Sequence, residues 1–591
     1  MHTQDETSFH RKTNLQKVLL ACLVAAALVT ALRFFTATDL GYDLTIQIQA
    51  AQNLLSGKGL NYYELPVGLP LKFSDGVGSS SFNTQLVTLT HWPCGYSFYA
   101  AAILGLGIPL SFVTKIFGAF FTMLGWWGWG RLQCSCLEKN IVTGGKWFLI
   151  SVFLAFVLPL LTTPAWNGTD ISLWAAVPWV LGWLAAGPRV IGYRGGIYYG
   201  LAGLVCGFCC IMRYASVVLL VYVGLVILIQ SLPNLRLFLK RILVFTAAAL
   251  PSMALQAYYN YGIAHGHATP GGINGLGGPG VAWARFVEGF SFLPTVNRAT
   301  CFWLPESVLK LVGGANGLPA VGLILAVLFM AFPLFVSYKA RYSSLHEAFH
   351  DVRFLAAGLL MAVPVFLLVC TTVGAFPYTS ELRYYGPLFP LTLLLIAFLA
   401  TPSPAETGPQ SRLLTACFST VLTGFIVVAL ARTCFIIVPG THGSVARSAL
   451  MADADFATFS KHGLAYEKLA LRRYVVERMM ADPNLHLLTN FEAWFYADPD
   501  LDRAKILRIH GFAEHAAKGP LHLLIVAVDE GEDERQLYAL NFTGNYVKGP
   551  RLNQVPSLRR VKTIDDTDHV AGKIKLLECE IIAGEEVRFT Y

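Results

Sequence analysis

Charge is what this chain is short of. Only 14% of its 591 residues are Asp, Glu, Lys or Arg, and 55% are hydrophobic, where a soluble domain carries roughly 25% charged residues. That excludes an ordinary soluble enzyme. The scarcity is uneven. Residues 441–591 hold 41 of the 80 charges (19 basic, 22 acidic), and the first 440 residues hold 25 basic and only 14 acidic. The net charge of +8 therefore arises in the hydrophobic part; this excludes a nucleic-acid partner and fits loop charge facing the cytoplasm. Metal and nucleotide signatures are also missing. The glycine run Gly271–Gly280 has no strand before it and no Lys-Ser/Thr after it, so it reads as a mobile flap rather than a phosphate cradle. Cys134-Ser-Cys136 lacks the second pair that a zinc site needs. Most of the 12 cysteines lie in apolar runs as small hydrophobes. Cys94 and Cys301 fall on one side of the membrane in the topology below, which leaves a disulfide between them open.

What is present instead is apolar length. A membrane span needs about 20 mostly apolar residues. Candidates run roughly over 18–36, 111–130, 142–162, 171–187, 196–212, 215–232, 242–258, 318–338, 354–375, 385–401 and 413–437. The first run could serve as a signal peptide, but it is long, lacks a small-residue cleavage site and leads into further spans. About eleven spans put the two ends on opposite sides. With the N-terminus cytoplasmic, the inner segments collect 15 basic residues in roughly 80 positions, against 10 in roughly 155 for the outer segments. The predicted fold class is thus mainly α, a polytopic membrane helical bundle with a C-terminal extracytoplasmic α/β domain. Its membrane domain covers 1–439, with long outer loops at 37–110 and 259–317, and the soluble domain covers 440–591.

Within the first outer loop, Asp43 to Gly57 is predicted to form an amphipathic helix along the membrane surface, with Leu44, Ile48, Ala51 and Leu55 on one face. Tyr96 to Leu110 is too short to span and reads as re-entrant or interfacial. In the tail, Ala465 to Met480 has helical spacing. Leu485–Thr489 and Leu521–Val528 are β-type runs with a helix-compatible stretch between them.

Acidic groups near a bilayer are costly, so where the few acids fall is informative. None of the 14 lies mid-span, which argues against an ion-coupled transporter with a midplane carboxylate. Asp43 follows the first span, Asp170 stands at the outer end of the third, and Glu381 lies just beyond the ninth. Such a layout can supply a carboxylate base for an acceptor hydroxyl beside cations that hold a phosphate leaving group. Each also has a plain structural reading: Asp43 as a helix N-terminal acid, Asp170 as an N-cap, Glu381 as a partner of Arg383. Arg213, between two apolar spans, and Arg383, before Tyr384-Tyr-Gly-Pro387, are candidate phosphate clamps or snorkelling side chains. Lys72, His91 and His265 are further outer candidates, Lys72 for the phosphate.

Four segments in order resemble GT-C type membrane glycosyltransferases, which include protein O-mannosyltransferase-like and lipid A aminoarabinose transferase-like enzymes. The first is Asp43 through Leu60, similar to an acid followed by Asn-Leu-Leu-x-Gly-x-Gly-Leu. His91-Trp-Pro-Cys-Gly-Tyr96 resembles a Tyr-Pro-Pro-x-Tyr stretch. Gly203 to Tyr214 resembles a Gly-x-x-x-Gly…Thr-Arg-Tyr span, and Arg383-Tyr-Tyr-Gly-Pro387 an Arg-Tyr-x-x-Pro turn. The resemblance covers about 1–400 and departs from the pattern at Cys94 and Gln47. It implies an inverting transferase in the cell envelope, taking a sugar from a polyprenyl-phosphate donor to an acceptor hydroxyl on the extracytoplasmic face. Asp43 would be general base and Asp170 the second acid, with Arg213, Arg383 and Lys72 on the donor phosphate and Glu381, Tyr384, His91 and His265 nearby.

A divalent metal could supply the phosphate stabilisation, but the outer loops have no tight Asp-x-Asp pair. The implied partners are the lipid-linked donor, a protein, lipid or polysaccharide acceptor, and membrane lipid. Two other readings stay open: a transporter or flippase of a lipid-linked glycan, and a non-catalytic assembly protein whose outer module binds a partner. The first predicts repeated spans with intramembrane charge; the second leaves the placed acids surplus.

Overall fold

The computed structural model describes part of residues 20–31 and residues 42–64, 85–89, 92–141, 169–190, 193–232, 234–263, 342, 344–372, 390–391, 470–489, 500–502 and 505–508. In the rest of the tail it describes the strands from 516 onward. The chain folds as two compact units. One comprises Met1–Phe35, Thr90–Gly95 and Phe117–Leu450; the other comprises Thr36–Leu89, Tyr96–Ile116 and Met451–Tyr591.

The first unit is built on helices. Its described members are α3 (Leu110–Ile141, from Phe117 on), α4 (Asp170–Ala186), α5 (Tyr193–Met212), α6 (Val217–Ser231), α7 (Leu235–Ala257) and α8 (Val352–Thr372). A 3-10 turn, Tyr214–Ser216, joins α5 to α6, and a π turn, Tyr258–Ile263, closes α7. Among the described residues, Gly195–Met212, Tyr214–Ser231 and Leu235–Ile263 are long and apolar enough to cross a membrane. Asp170–Ala186 and Val352–Val363 are shorter apolar helices. Leu201, Leu204, Val221, Leu225, Leu239, Leu243 and Leu250 are exposed, the surface expected of helices solvated by lipid tails rather than water. Helices thus occupy the positions of the predicted spans near 111–130, 171–187, 196–212, 215–232, 242–258 and 354–375, and those near 196–212, 215–232 and 242–258 have the length and apolarity to span. The other predicted spans lie wholly or largely outside the described residues.

Small residues let the helices close up. A Cβ on Gly203 would collide with the Phe245 carbonyl, and one on Gly207 would come within 2.8 Å of the Ala249 carbonyl. This Gly-x-x-x-Gly face of α5 lies against α7 for that reason. Between α3 and α4 the contact is aromatic. Pro178 inside α4 has no N–H for the Trp174 carbonyl four residues back, and the Trp129 indole N–H donates to that carbonyl at 3.1 Å. Trp179 Nε1 donates in return to the Leu124 carbonyl at 3.0 Å.

The second unit holds α1 (Tyr42–Leu55), the antiparallel pair β1 (Asn61–Glu64) and β2 (Gln85–Thr88), α2 (Gly95–Gly105, from Tyr96 on) and the tail. The predicted surface helix is corrected here. Leu44, Ile48 and Ala51 are buried as expected, but so are Gln47, Gln49 and Asn53, while Leu55 is exposed. Among the described side chains α1 is therefore buried on more than the one apolar face expected of it. Asn53 Nδ2 donates to the Asn61 carbonyl at 2.7 Å and ties its end to β1. At 11 residues α2 is too short to span, as predicted.

In the tail, α9 (Ala470–Ala481) precedes the strands β3 (Leu485–Thr489), β4 (Ile506–Arg508), β5 (Ala516–Lys518), β6 (Leu521–Val528), β7 (Gln536–Leu540), β8 (Tyr546–Arg551), β9 (Leu558–Thr563) and β10 (Ile574–Ile581). Five of them form one sheet, in the order β4-β3-β6-β10-β9. β3 is parallel to β4 and β6, with Leu487 opposite Ile506 and Leu524. β10 runs antiparallel to β6 and β9. β3 and β6 coincide with the two predicted strands. The described part of the stretch between them includes β4 and β5, and the rest of that helix-compatible stretch lies outside the described residues; β4 pairs with β3, a tertiary partner that local spacing does not reveal.

Candidate functional site

The helices of the first unit alternate in direction, so the start of α4, the end of α5, the start of α6 and the end of α7 share one end of the bundle. Two predicted site residues meet there. Asp170 is the first residue of α4, and Arg213 breaks the helical path between α5 and the 3-10 turn with an extended backbone (φ −152°, ψ 125°). Arg213 Nε lies 3.1 Å from Asp170 Oδ1, with side chains only 9% and 8% exposed. An ion pair this dry depends on close geometry, because little water remains to solvate either charge.

The backbone fixes both partners. Asp170 is not the N-cap: that position is Thr169, whose side chain makes no capping bond. The turn is closed by Ser172, whose N–H and hydroxyl both donate to the Thr169 carbonyl, at 3.1 and 2.6 Å. Cys209 Sγ donates to the Ser172 carbonyl at 3.6 Å, and the Arg213 N–H donates to the Cys209 carbonyl at 2.8 Å. Thr169 Oγ1 and Ser216 Oγ, flanking the pair in sequence, are buried without a hydrogen-bond partner.

A second polar cluster adjoins Arg213 through its neighbour. Gln256, near the end of α7, is buried. Its Oε1 accepts from the Cys94 N–H at 3.1 Å and from the Cys94 thiol at 3.3 Å; its Nε2 donates to Tyr214 Oη at 3.1 Å and Asn260 Oδ1 at 2.8 Å. Gly95 completes the join, since a Cβ there would come within 2.6 Å of the Ile211 carbonyl. Cys94 is a free buried thiol, and burial pushes it up to about 11. The disulfide left open by the sequence is thereby set aside: a hydrogen bond to Gln256 occupies the sulfur. Gln256 and Asn260 were not singled out by the sequence. Their only signal is a pair of amides four residues apart at the end of an apolar run.

Asp43 lies in the first turn of α1, in the other unit, and its side chain is outside the described residues. Lys72, His91, His265, Glu381, Arg383 and Tyr384 also lie outside the described residues. Among the described residues no group of three metal-ligating side chains occurs.

No family model matches the chain, and no curated protein matches it. The solved structures to which it is similar include GT-C glycosyltransferases. One is the crystal structure of ArnT from Cupriavidus metallidurans bound to undecaprenyl phosphate, at 12% identity, covering 94% of this chain and 97% of that one, with a TM-score of 0.40. Another is the Archaeoglobus fulgidus oligosaccharyltransferase tethered to an acceptor peptide containing an NVT sequon, at 12% identity. It covers 83% of this chain and 63% of that one, with a TM-score of 0.34.

Proposed function

We propose that the protein is an integral membrane glycosyltransferase. In this reading it moves a sugar from a polyprenyl-phosphate-linked donor to an acceptor hydroxyl on the extracytoplasmic face, with inversion. The observation that carries the reading is the buried Asp170–Arg213 pair at one end of an apolar bundle. A charge pair is an expensive thing to keep beside lipid-facing helices, and function is the usual reason for one.

The acceptor oxygen attacks the anomeric carbon, the bond from that carbon to the phosphate oxygen breaks, and polyprenyl phosphate departs with the bonding electrons. The acceptor proton passes to a carboxylate. We assign that base to Asp43 and the second acid to Asp170, which Arg213 fixes in position. The buried hydroxyls of Thr169 and Ser216 would recover about 1–3 kcal/mol each by donating to a ligand oxygen. Arg213, besides holding Asp170, is assigned with Arg383 and Lys72 to the donor phosphate, and Glu381, Tyr384, His91 and His265 to its surroundings. The membrane domain of 1–439 would do the chemistry, and the domain of 440–591 would position an acceptor or partner. The N-terminus would be cytoplasmic and the C-terminal domain outside.

The test is purification in detergent, incubation with a panel of polyprenyl-phosphate sugars and measurement of released polyprenyl phosphate. Release by the natural chain and its loss in Asp43→Asn support the assignment. Equal turnover in Asp43→Asn removes Asp43 from the mechanism, and no release with any donor removes the reaction.

A further inference from the structure

Gln256 stands out because of where it is and how completely it is used. It sits in an apolar helix, 7% exposed, and its amide makes four hydrogen bonds, two as donor and two as acceptor. That is the full complement expected of a carboxamide with two donor hydrogens and two lone pairs on oxygen. The assignment of its ends is forced. The Cys94 N–H can only donate, so the atom facing it is Oε1, and Nε2 faces the two oxygens.

The four bonds join pieces of chain that are distant in sequence. Cys94 belongs to the Trp92–Gly95 segment that leads into α2, Tyr214 to the turn after Arg213, and Asn260 to the π turn that ends α7. Gln256 touches neither Asp170 nor Arg213 through any of these bonds. Its lever on the ion pair is the Tyr214 side chain, one residue from an arginine whose extended backbone has left the helix.

We infer that Gln256 is a positioning residue: its amide latches the Trp92–Gly95 segment and the Tyr214 turn to α7, and so fixes the direction in which Arg213 meets Asp170. This rests on the glycosyltransferase reading for its effect on turnover, but the latch itself is a separate and separately measurable claim. Misplacing a reacting group by about 1 Å costs on the order of 100-fold in rate. Loss of the latch should therefore lower kcat by about 10- to 100-fold while the donor KM moves by less, because of the groups assigned to the donor only Arg213 is displaced.

Two substitutions in the full-length protein separate a latch from mere volume. Gln256→Leu keeps the size and removes all four bonds. Gln256→Glu, protonated at a buried site, keeps an oxygen acceptor for Cys94 and one hydroxyl donor for Tyr214 or Asn260. The first readout is the rate at which N-ethylmaleimide modifies Cys94 in detergent, followed on the Cys94 peptide by mass spectrometry; the second is kcat and KM for polyprenyl phosphate release. The inference expects Cys94 labelling in Gln256→Leu to accelerate about tenfold with the fall in kcat, and both to return towards natural values in Gln256→Glu. Unchanged Cys94 protection in a folded Gln256→Leu protein overturns it. So does a kcat loss that Gln256→Glu fails to rescue. If no donor is turned over by any form, the glycosyltransferase reading falls and the Cys94 labelling alone decides the latch.

Discussion

The two ends of the helical bundle each bury polar groups, and they use them differently. At the end formed by the close of α4 and α6 and the start of α5 and α7, everything converges on Gln230. Its Nε2 donates to the Leu184 carbonyl at 3.0 Å and the Phe349 carbonyl at 2.7 Å, and Tyr199 Oη donates to its Oε1 at 3.3 Å. Pro188, four residues after Leu184, has no N–H to offer that carbonyl, so a side chain from another helix takes its place. Arg241 bonds the Gln230 carbonyl and Ser231 Oγ, with its guanidinium 5.1 Å from the Tyr199 ring centroid. Those groups finish backbone bonds, and the acid at this end, Asp351, is held by Arg353 at 2.6 Å and by the Tyr342 hydroxyl at 2.9 Å in a more exposed pair, with side chains 18% and 28% exposed for Asp351 and Arg353.

The opposite end holds a carboxylate, an arginine that breaks a helix, two hydroxyls without partners and a loop clipped down by Gln256. The first arrangement is what a helix bundle needs to close its ends. The second holds more polarity than packing needs, and the surplus is where chemistry is proposed.

This contrast sets the size of the expected effects. Asp170→Asn should act most strongly, lowering polyprenyl phosphate release by about 100- to 10,000-fold. By removing the carboxylate of a dry ion pair it should also cost about 3–5 kcal/mol in thermal unfolding. Full turnover in that variant would erase the difference between the ends. Gln230→Leu strands the Leu184 and Phe349 carbonyls and should cost about 2–4 kcal/mol in stability, with turnover per folded molecule within about twofold of the natural chain. A large kcat loss there would mean that both ends serve the reaction.

Two smaller effects serve as references away from both ends. In the tail, burial pushes His486 down to about 4, aided by Lys505 and opposed by its bond to the Asn484 carbonyl. The folded form thus binds fewer protons than the unfolded form between pH 6.5 and 4. Stability from this group is complete above pH 6.5 and is lost as the pH falls towards 4, by at most about 3 kcal/mol. Unfolding followed by circular dichroism across that range should show the slope, and His486→Gln should flatten it; equal slopes would refute the assignment. Smallest is Trp129→Phe, which removes the indole bond to the Trp174 carbonyl beneath Pro178 and should cost about 1–2 kcal/mol without altering turnover.

How much of this was legible in the sequence follows the cost of each group in an apolar setting. Asp170 and Arg213 could be found because a charge among apolar residues is rare and expensive, so each one asks for a reason. That they pair with one another was not legible, because the bond depends on α4 and α5 ending at the same level. Gln230 and Gln256 passed unremarked: an uncharged amide carries a smaller penalty, and its partners are carbonyls, a hydroxyl and a backbone N–H that no spacing reveals. Cys94 was noticed as a departure from a Pro-Pro pattern and as a disulfide candidate, but its bond to Gln256 was not legible. The spans near 196–212, 215–232 and 242–258 were legible because hydrophobic length is a local property. The burial of α1 was not, since Leu44, Ile48 and Ala51 fit a one-sided helix equally well until Gln47, Gln49 and Asn53 are seen inside.

The central claim is that the end carrying Asp170 performs the transfer and the end carrying Gln230 only holds the bundle together. The most direct test measures polyprenyl phosphate released per folded molecule by the natural chain, Asp170→Asn and Gln230→Leu, side by side on a donor that the natural chain accepts. The account predicts a loss of at least about 100-fold in Asp170→Asn and near-natural release in Gln230→Leu. Equal release from the two variants would contradict it.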